Sequence, residues 1–149
     1  MDLAVQLVLL TLAAGTPLVY AALGELVVEK SGVLNLGVEG MMLVGAVVAF
    51  IVAATFKSPW LGVLAGIVAG AALALVFAVV TLTLQANQVA SGLALSLFGV
   101  GLSAFVGLGY VSLVIEPIPS VSLGPLTALP VVWPLLFGQN PLVYLSLVL

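Results

Sequence analysis

The sequence predicts an all-α membrane protein, a polytopic helix bundle with about four full transmembrane spans and the start of a fifth. Three observations predict it. Apolar residues make up 64% of the chain and charged residues 5%, against roughly 45–50% and 25% in soluble domains. The seven charged side chains (Asp2, Glu25, Glu29, Lys30, Glu39, Lys57 and Glu116) are too few to cover a water-facing surface, so the solvent that suits the rest is lipid. Long apolar runs alternate with short polar breaks, and most runs approach the length that crosses a hydrocarbon core of about 30 Å.

Residues 3–23 form the first run, and Pro17 inside it is expected to kink the helix, because proline removes a backbone donor and crowds the preceding turn. The start Met1-Asp2 is acidic and the run behind it is long, which does not fit a cleavable signal. Residues 24–40 break the pattern, holding four of the seven charges together with Gly24, Gly32, Gly37 and Gly40. The apolar stretch after them, 41–56, is short for a span, so the second helix is expected over 37–56 with Glu39 inside it. Lys57-Ser58-Pro59 reads as a tight turn. The third run is 60–84, the link 85–88 is polar, and the fourth run is 89–111.

Residues 112–140 are too rich in proline for a spanning helix and read as an external loop, with a short interfacial helix expected over 133–137. Residues 141–149 are apolar but cover less than half a bilayer as helix. They read as the start of a fifth span in a sequence that continues further; the alternative is a surface-lying tail. The whole of 1–149 is read as a single transmembrane domain. Alternating runs group Trp60, Tyr110 and Trp133 on one face, as interfacial aromatics prefer. Lys30 and Lys57 fall on opposite faces, so basic residues do not orient the chain.

Several functions are excluded by composition. Two lysines and no arginine among a net charge of −3 cannot neutralise a run of phosphates, so no nucleic acid is a partner. Without Cys or His there is no disulfide, no Cys/His metal site and no Cys- or His-dependent catalysis. Gly24 followed at a distance by Lys30-Ser31 imitates a phosphate-binding loop, but that loop needs glycine where Glu29 stands.

Gly62, Gly66 and Gly70 repeat every four residues and make a small-residue ridge for close helix packing; Gly92 and Ser96 repeat the pattern more weakly. The informative stretch is 24–42. Charges near lipid persist where water, a partner or function offsets their cost. Gly32, Gly37 and Gly40 weaken helix at membrane depth, where broken backbone is tolerated only when buried in protein or lining a path. Asn35 offers donors and acceptors to a polar solute. Glu39 has two readings: a carboxylate favoured by a helix N-terminus, or a path residue. Whether 24–45 is re-entrant or a simple crossing stays open.

Gly32-Val33-Leu34-Asn35-Leu36-Gly37-Val38-Glu39-Gly40-Met41-Met42, followed by Gly45-Ala46, resembles the ABC-importer permeases for ribose, branched-chain amino acids and nucleosides, and among these the nucleoside branch. Asn87-Gln88-Val89-Ala90-Ser91-Gly92-Leu93-Ala94-Leu95-Ser96 and Leu136-Phe137-Gly138-Gln139-Asn140-Pro141-Leu142-Val143-Tyr144 agree in order. The resemblance implies the N-terminal half of a prokaryotic cell-membrane permease subunit, with no catalytic residue or cofactor. Its partners would be a second permease chain, a cytosolic ABC ATPase that hydrolyses the ATP, and an external solute-binding protein. It implies a path for a small polar solute, a nucleoside, with Asn35, Gly37, Glu39, Gly40, Asn87, Gln88 and Ser91 as transport-path residues, and an external proline-rich loop. The alternatives are a sugar or branched-chain amino acid permease of the same family, or an ion-coupled secondary transporter. The last needs deep acidic residues, for which Glu39 is the one candidate. An embedded enzyme has only Glu, Lys and Asp2 for acid–base work.

Overall fold

The computed structural model describes residues 3–119 and 139–149, and all regular structure among them is helical. The elements are α1 (Leu3–Lys30), α2 (Val38–Phe56), α3 (Pro59–Ala78) running into a π-helical turn (Val79–Thr83), α4 (Gln88–Gly107) ending in a 3-10 turn (Leu108–Tyr110), and α5 (Pro141–Val148). Among the described residues four helical stretches, Leu3–Lys30, Val38–Phe56, Pro59–Thr83 and Gln88–Tyr110, are long and apolar enough to cross a membrane. The expected interfacial helix over 133–137, with Trp133, lies outside the described residues. Residues 111–119 carry no helix.

The chain divides into two compact units, Met1–Gly24 with Ile118–Leu149, and Glu25–Pro117. In the first, α1 passes through Pro17 without interruption, because lipid leaves the backbone no partner but itself. Helix α5 starts where Asn140 caps it, its Oδ1 accepting from Val143 N at 3.0 Å, and where Pro141 occupies the first helical position, at which a missing N–H costs nothing.

In the second unit, α1 runs on past the expected limit at residue 23 to Lys30. Gly24 alone does not stop it, since glycine costs a helix only about 1 kcal/mol. The stop comes from Gly32, whose φ of +85° suits glycine and closes a Schellman turn. Gly32 N donates to Glu29 O at 2.9 Å and Val33 N to Val28 O at 3.3 Å, satisfying carbonyls the helix end leaves open.

Helix α2 packs on both α3 and α4, which touch each other little. Against α3 the contact is backbone-close. A Cβ on Gly62 would fall 2.6 Å from Ala49 O and 2.8 Å from Ala53 Cβ, and one on Gly66 would fall 2.9 Å from Gly45 O. Gly45, Ala49 and Ala53 therefore form the ridge that answers Gly62 and Gly66. Gly70 is roomier, its Cβ position 3.9 Å from Met41 O. The two helices are antiparallel, joined by a turn in which Lys57 takes φ 51° and Pro59 opens α3.

The π-helical turn that ends α3 lies inside the run read as one uniform span. Leu84 N reaches back to Val79 O at 3.0 Å and Ala86 N to Val80 O at 3.1 Å, while the buried Thr81 hydroxyl donates to Phe77 O at 2.8 Å. This widened turn brings the chain round to Asn87, whose Oδ1 accepts from Ala90 N at 3.0 Å and starts α4.

Candidate functional site

The connection between α1 and α2, residues 31–37, is a non-helical segment held between two helix ends. Asn35 is buried at its centre. Its backbone N–H donates to Glu25 Oε1 at 3.0 Å, its Oδ1 accepts from Gly37 N at 2.9 Å, and its Nδ2 approaches Met41 Sδ at 3.7 Å. The Asn35 side chain thus makes a local turn into α2.

The start of α4 holds the same segment from the other side. Leu34 N donates to Gln88 Oε1 at 2.8 Å, and the Ser96 hydroxyl donates to Leu36 O at 2.8 Å. Gly92 lets the connection lie against α4, since a Cβ there would fall 2.8 Å from Leu36 N and 3.0 Å from Gly37 N. One turn further, Gly40 meets the backbone of Leu95 and Ser96, and Gly99 meets Gly40. Three backbone groups that no helix serves, the Leu34 and Asn35 amides and the Leu36 carbonyl, are thereby met by Gln88, Glu25 and Ser96.

Of the residues nominated from the sequence, Asn35, Gly37, Gly40 and Gln88 come together here, and so do the packing residues Gly92 and Ser96. Glu39 stands exposed in the first turn of α2. Asn87 is spent on capping α4. Ser91 lines a different feature, an apolar groove of about 320 Å³ between Phe77 and Val80 on one wall and Leu95 and Phe98 on the other.

Glu25 is the residue that the sequence reasoning passed over. Its Oε1 serves Asn35, while its Oε2 is buried with no hydrogen-bond partner among the described residues. A carboxylate oxygen without a donor in such a place is uncommon and costly. The available signal was its position at the head of the glycine-rich stretch, one α-helical turn before Glu29.

Apolar spans, backbone-close helix crossings and a non-helical connection with Asn35 buried at its centre are features of a membrane permease. The chain belongs to the family described as branched-chain amino acid transport system / permease component, whose model matches residues 7–136. It is similar to the protein provisionally named glucose ABC transporter permease protein TsgC13 of Haloferax volcanii, 48% identical over 122 residues that make up 82% of this chain and 37% of that one. The guanosine ABC transporter permease protein NupQ of Bacillus subtilis is 35% identical over 102 residues, 64% of this chain and 32% of NupQ. The nucleoside ABC transporter permease protein NupC of Lactococcus lactis subsp. cremoris is 35% identical over 97 residues, 61% of this chain and 31% of NupC. The chain spans about a third of the length of these curated relatives. No solved structure matches it. Family and helices together make it a multi-pass protein of the cell membrane.

Proposed function

We propose that the chain forms part of the transmembrane path of an ABC importer for a small, neutral, sugar-bearing solute, with a nucleoside as the solute. The single observation that carries this reading is the non-helical connection 31–37, pinned by Glu25, Gln88 and Ser96. Irregular backbone packed among apolar helices persists where protein groups serve it or where it borders a path, and transporters place broken helices at their solute sites. Asn35, Gly37, Gly40 and Gln88 build the connection; Glu39, Asn87 and Ser91 are the further path candidates around it.

In this reading the chain itself hydrolyses nothing. A cytosolic ABC ATPase supplies the energy, a second permease chain completes the path, and an external solute-binding protein delivers the solute to the side of the proline-rich segment. A second reading, glucose in place of a nucleoside, is favoured by the 48% identity to the Haloferax volcanii protein.

The test is reconstitution of the full-length permease with its ATPase and binding protein in liposomes. Guanosine is expected to stimulate ATP hydrolysis and to enter the vesicles; stimulation by glucose alone would select the second reading. If neither solute raises hydrolysis or accumulates, the importer assignment fails.

A further inference from the structure

The first turn of α5 meets the middle of α1. The Tyr20 hydroxyl donates to Leu142 O at 2.7 Å, and the Ser146 hydroxyl approaches Thr16 Oγ1 at 3.4 Å. An open groove of about 230 Å³ lies beside this contact, with the exposed Ala13 and Pro17, the buried Thr16 and the half-buried Tyr20 and Asn140 among its walls. Among the described residues, none that lines it is charged.

Two of these walls bring hydrogen-bonding capacity that the fold does not use. Pro17 has no N–H, so the Ala13 carbonyl lacks the donor it would have in an uninterrupted helix. Asn140 spends Oδ1 on capping Val143 N, and its Nδ2 has no partner among the described residues. An acceptor and an amide donor therefore border one groove. The α1 helix is about 42 Å long at 1.5 Å per residue, and its charges, Glu25, Glu29 and Lys30, stand in its last turns. The apolar part that fills the hydrocarbon core is thus centred close to Ala13, and α5 begins at membrane depth, where transporters place discontinuous helices beside the solute.

We propose that this groove receives a neighbouring hydroxyl pair of a neutral, sugar-bearing solute, one hydroxyl donating to Ala13 O and the other accepting from Asn140 Nδ2. A hydroxyl both donates and accepts, so a pair of them matches an acceptor and a donor set on one wall each. The uncharged lining disfavours an amino acid, whose ammonium and carboxylate would lose water without gaining a counter-charge. Open to one side, the groove can take a sugar ring and leave an attached base outside. The proposal rests on the importer reading, and deepens it by naming what the solute is held by.

The experiment uses the full-length permease assembled with its partner subunits. Pro17→Ala returns an N–H to Ala13 O, and Asn140→Asp keeps the helix cap while removing the amide donor. Uptake and equilibrium binding are measured for guanosine and glucose, and for 2′,3′-dideoxyguanosine and 2-deoxyglucose, which lack a hydroxyl of the pair. For the solute that wild type carries, each variant is expected to raise KM and Kd about tenfold at unchanged assembly; the values for 2′,3′-dideoxyguanosine stay within twofold in both variants, and those for 2-deoxyglucose in the one variant whose contact its missing hydroxyl would have made. Wild-type transport with variants indistinguishable from it, or two variants that both weaken parent and analogue equally, would overturn the groove site while leaving the importer reading in place. A wild-type complex that neither transports nor binds any of the four would overturn both.

Discussion

Gly40 and Gly99 touch backbone to backbone: a Cβ built on Gly99 would overlap the Cα of Gly40 and lie 2.5 Å from its carbonyl oxygen. This crossing sets how closely α2 and α4 approach, one turn above the polar connection, so it also sets whether Ser96 can reach Leu36 O. Gly99→Ala and Gly40→Ala are each expected to destabilise the protein by about 1–3 kcal/mol through overpacking. Gly101, whose Cβ would meet nothing within 4 Å, serves as control, and Gly101→Ala is expected to stay neutral or gain slightly. Thermal unfolding of the purified protein in detergent separates the two classes.

Glu25 serves Asn35 with one oxygen and leaves the other unpartnered. Glu25→Gln keeps an acceptor for Asn35 N and removes a buried charge, so stability is expected to hold or rise. Glu25→Ala strands the Asn35 amide, at a cost of about 1–3 kcal/mol. Unfolding midpoints that rank Ala at or above Gln would remove Glu25 from the connection's support.

Asn35 and Glu39 should behave oppositely. Asn35 is buried and its polar atoms are engaged within the turn, so Asn35→Ala is expected to lower the yield of assembled complex along with uptake. Glu39 is exposed, and Glu39→Ala is expected to assemble normally, within about 0.5 kcal/mol of wild type, while uptake falls. Size-exclusion yield beside uptake in the same preparation reads both. Normal uptake by Glu39→Ala would take Glu39 out of the path.

Gln88 and Ser96 tether the same segment from two turns of α4. Each alanine variant is expected to cost about 0.5–1.5 kcal/mol. Because both bonds hold residues 34–36, the double variant should fall short of the sum by at least about 0.5 kcal/mol. Strict additivity in a double-mutant cycle would mean that the connection is not held as one piece.

Much of this architecture was legible in the residues themselves. The breaks at Lys57-Ser58-Pro59 and at Gln85–Gln88 carry proline, polar and capping residues whose preferences are local. The ridge of Gly62 and Gly66 announced a close crossing by its four-residue spacing. Gly70 has the same spacing and no such crossing, because a repeat tells which face is thin and not which helix arrives there. The run of α1 to Lys30 was hidden by Gly24, which looked like punctuation, although a cost of about 1 kcal/mol is small beside what lipid imposes on unpaired backbone.

By itself, the sequence determined that this chain lives in lipid, that it crosses as helices and roughly where, and that its polar interest lies between residues 24 and 40. Those properties follow from side-chain transfer energies and local backbone preferences, which are written residue by residue. Only the tertiary structure decided that Glu25 serves Asn35, that Gln88 and Ser96 hold the connection, that Gly40 rests on Gly99, and that Asn140 comes to lie opposite Pro17. These are pairings across ten to more than a hundred residues. Chain periodicity carries no information about them, because they exist only once packed helices have chosen their neighbours.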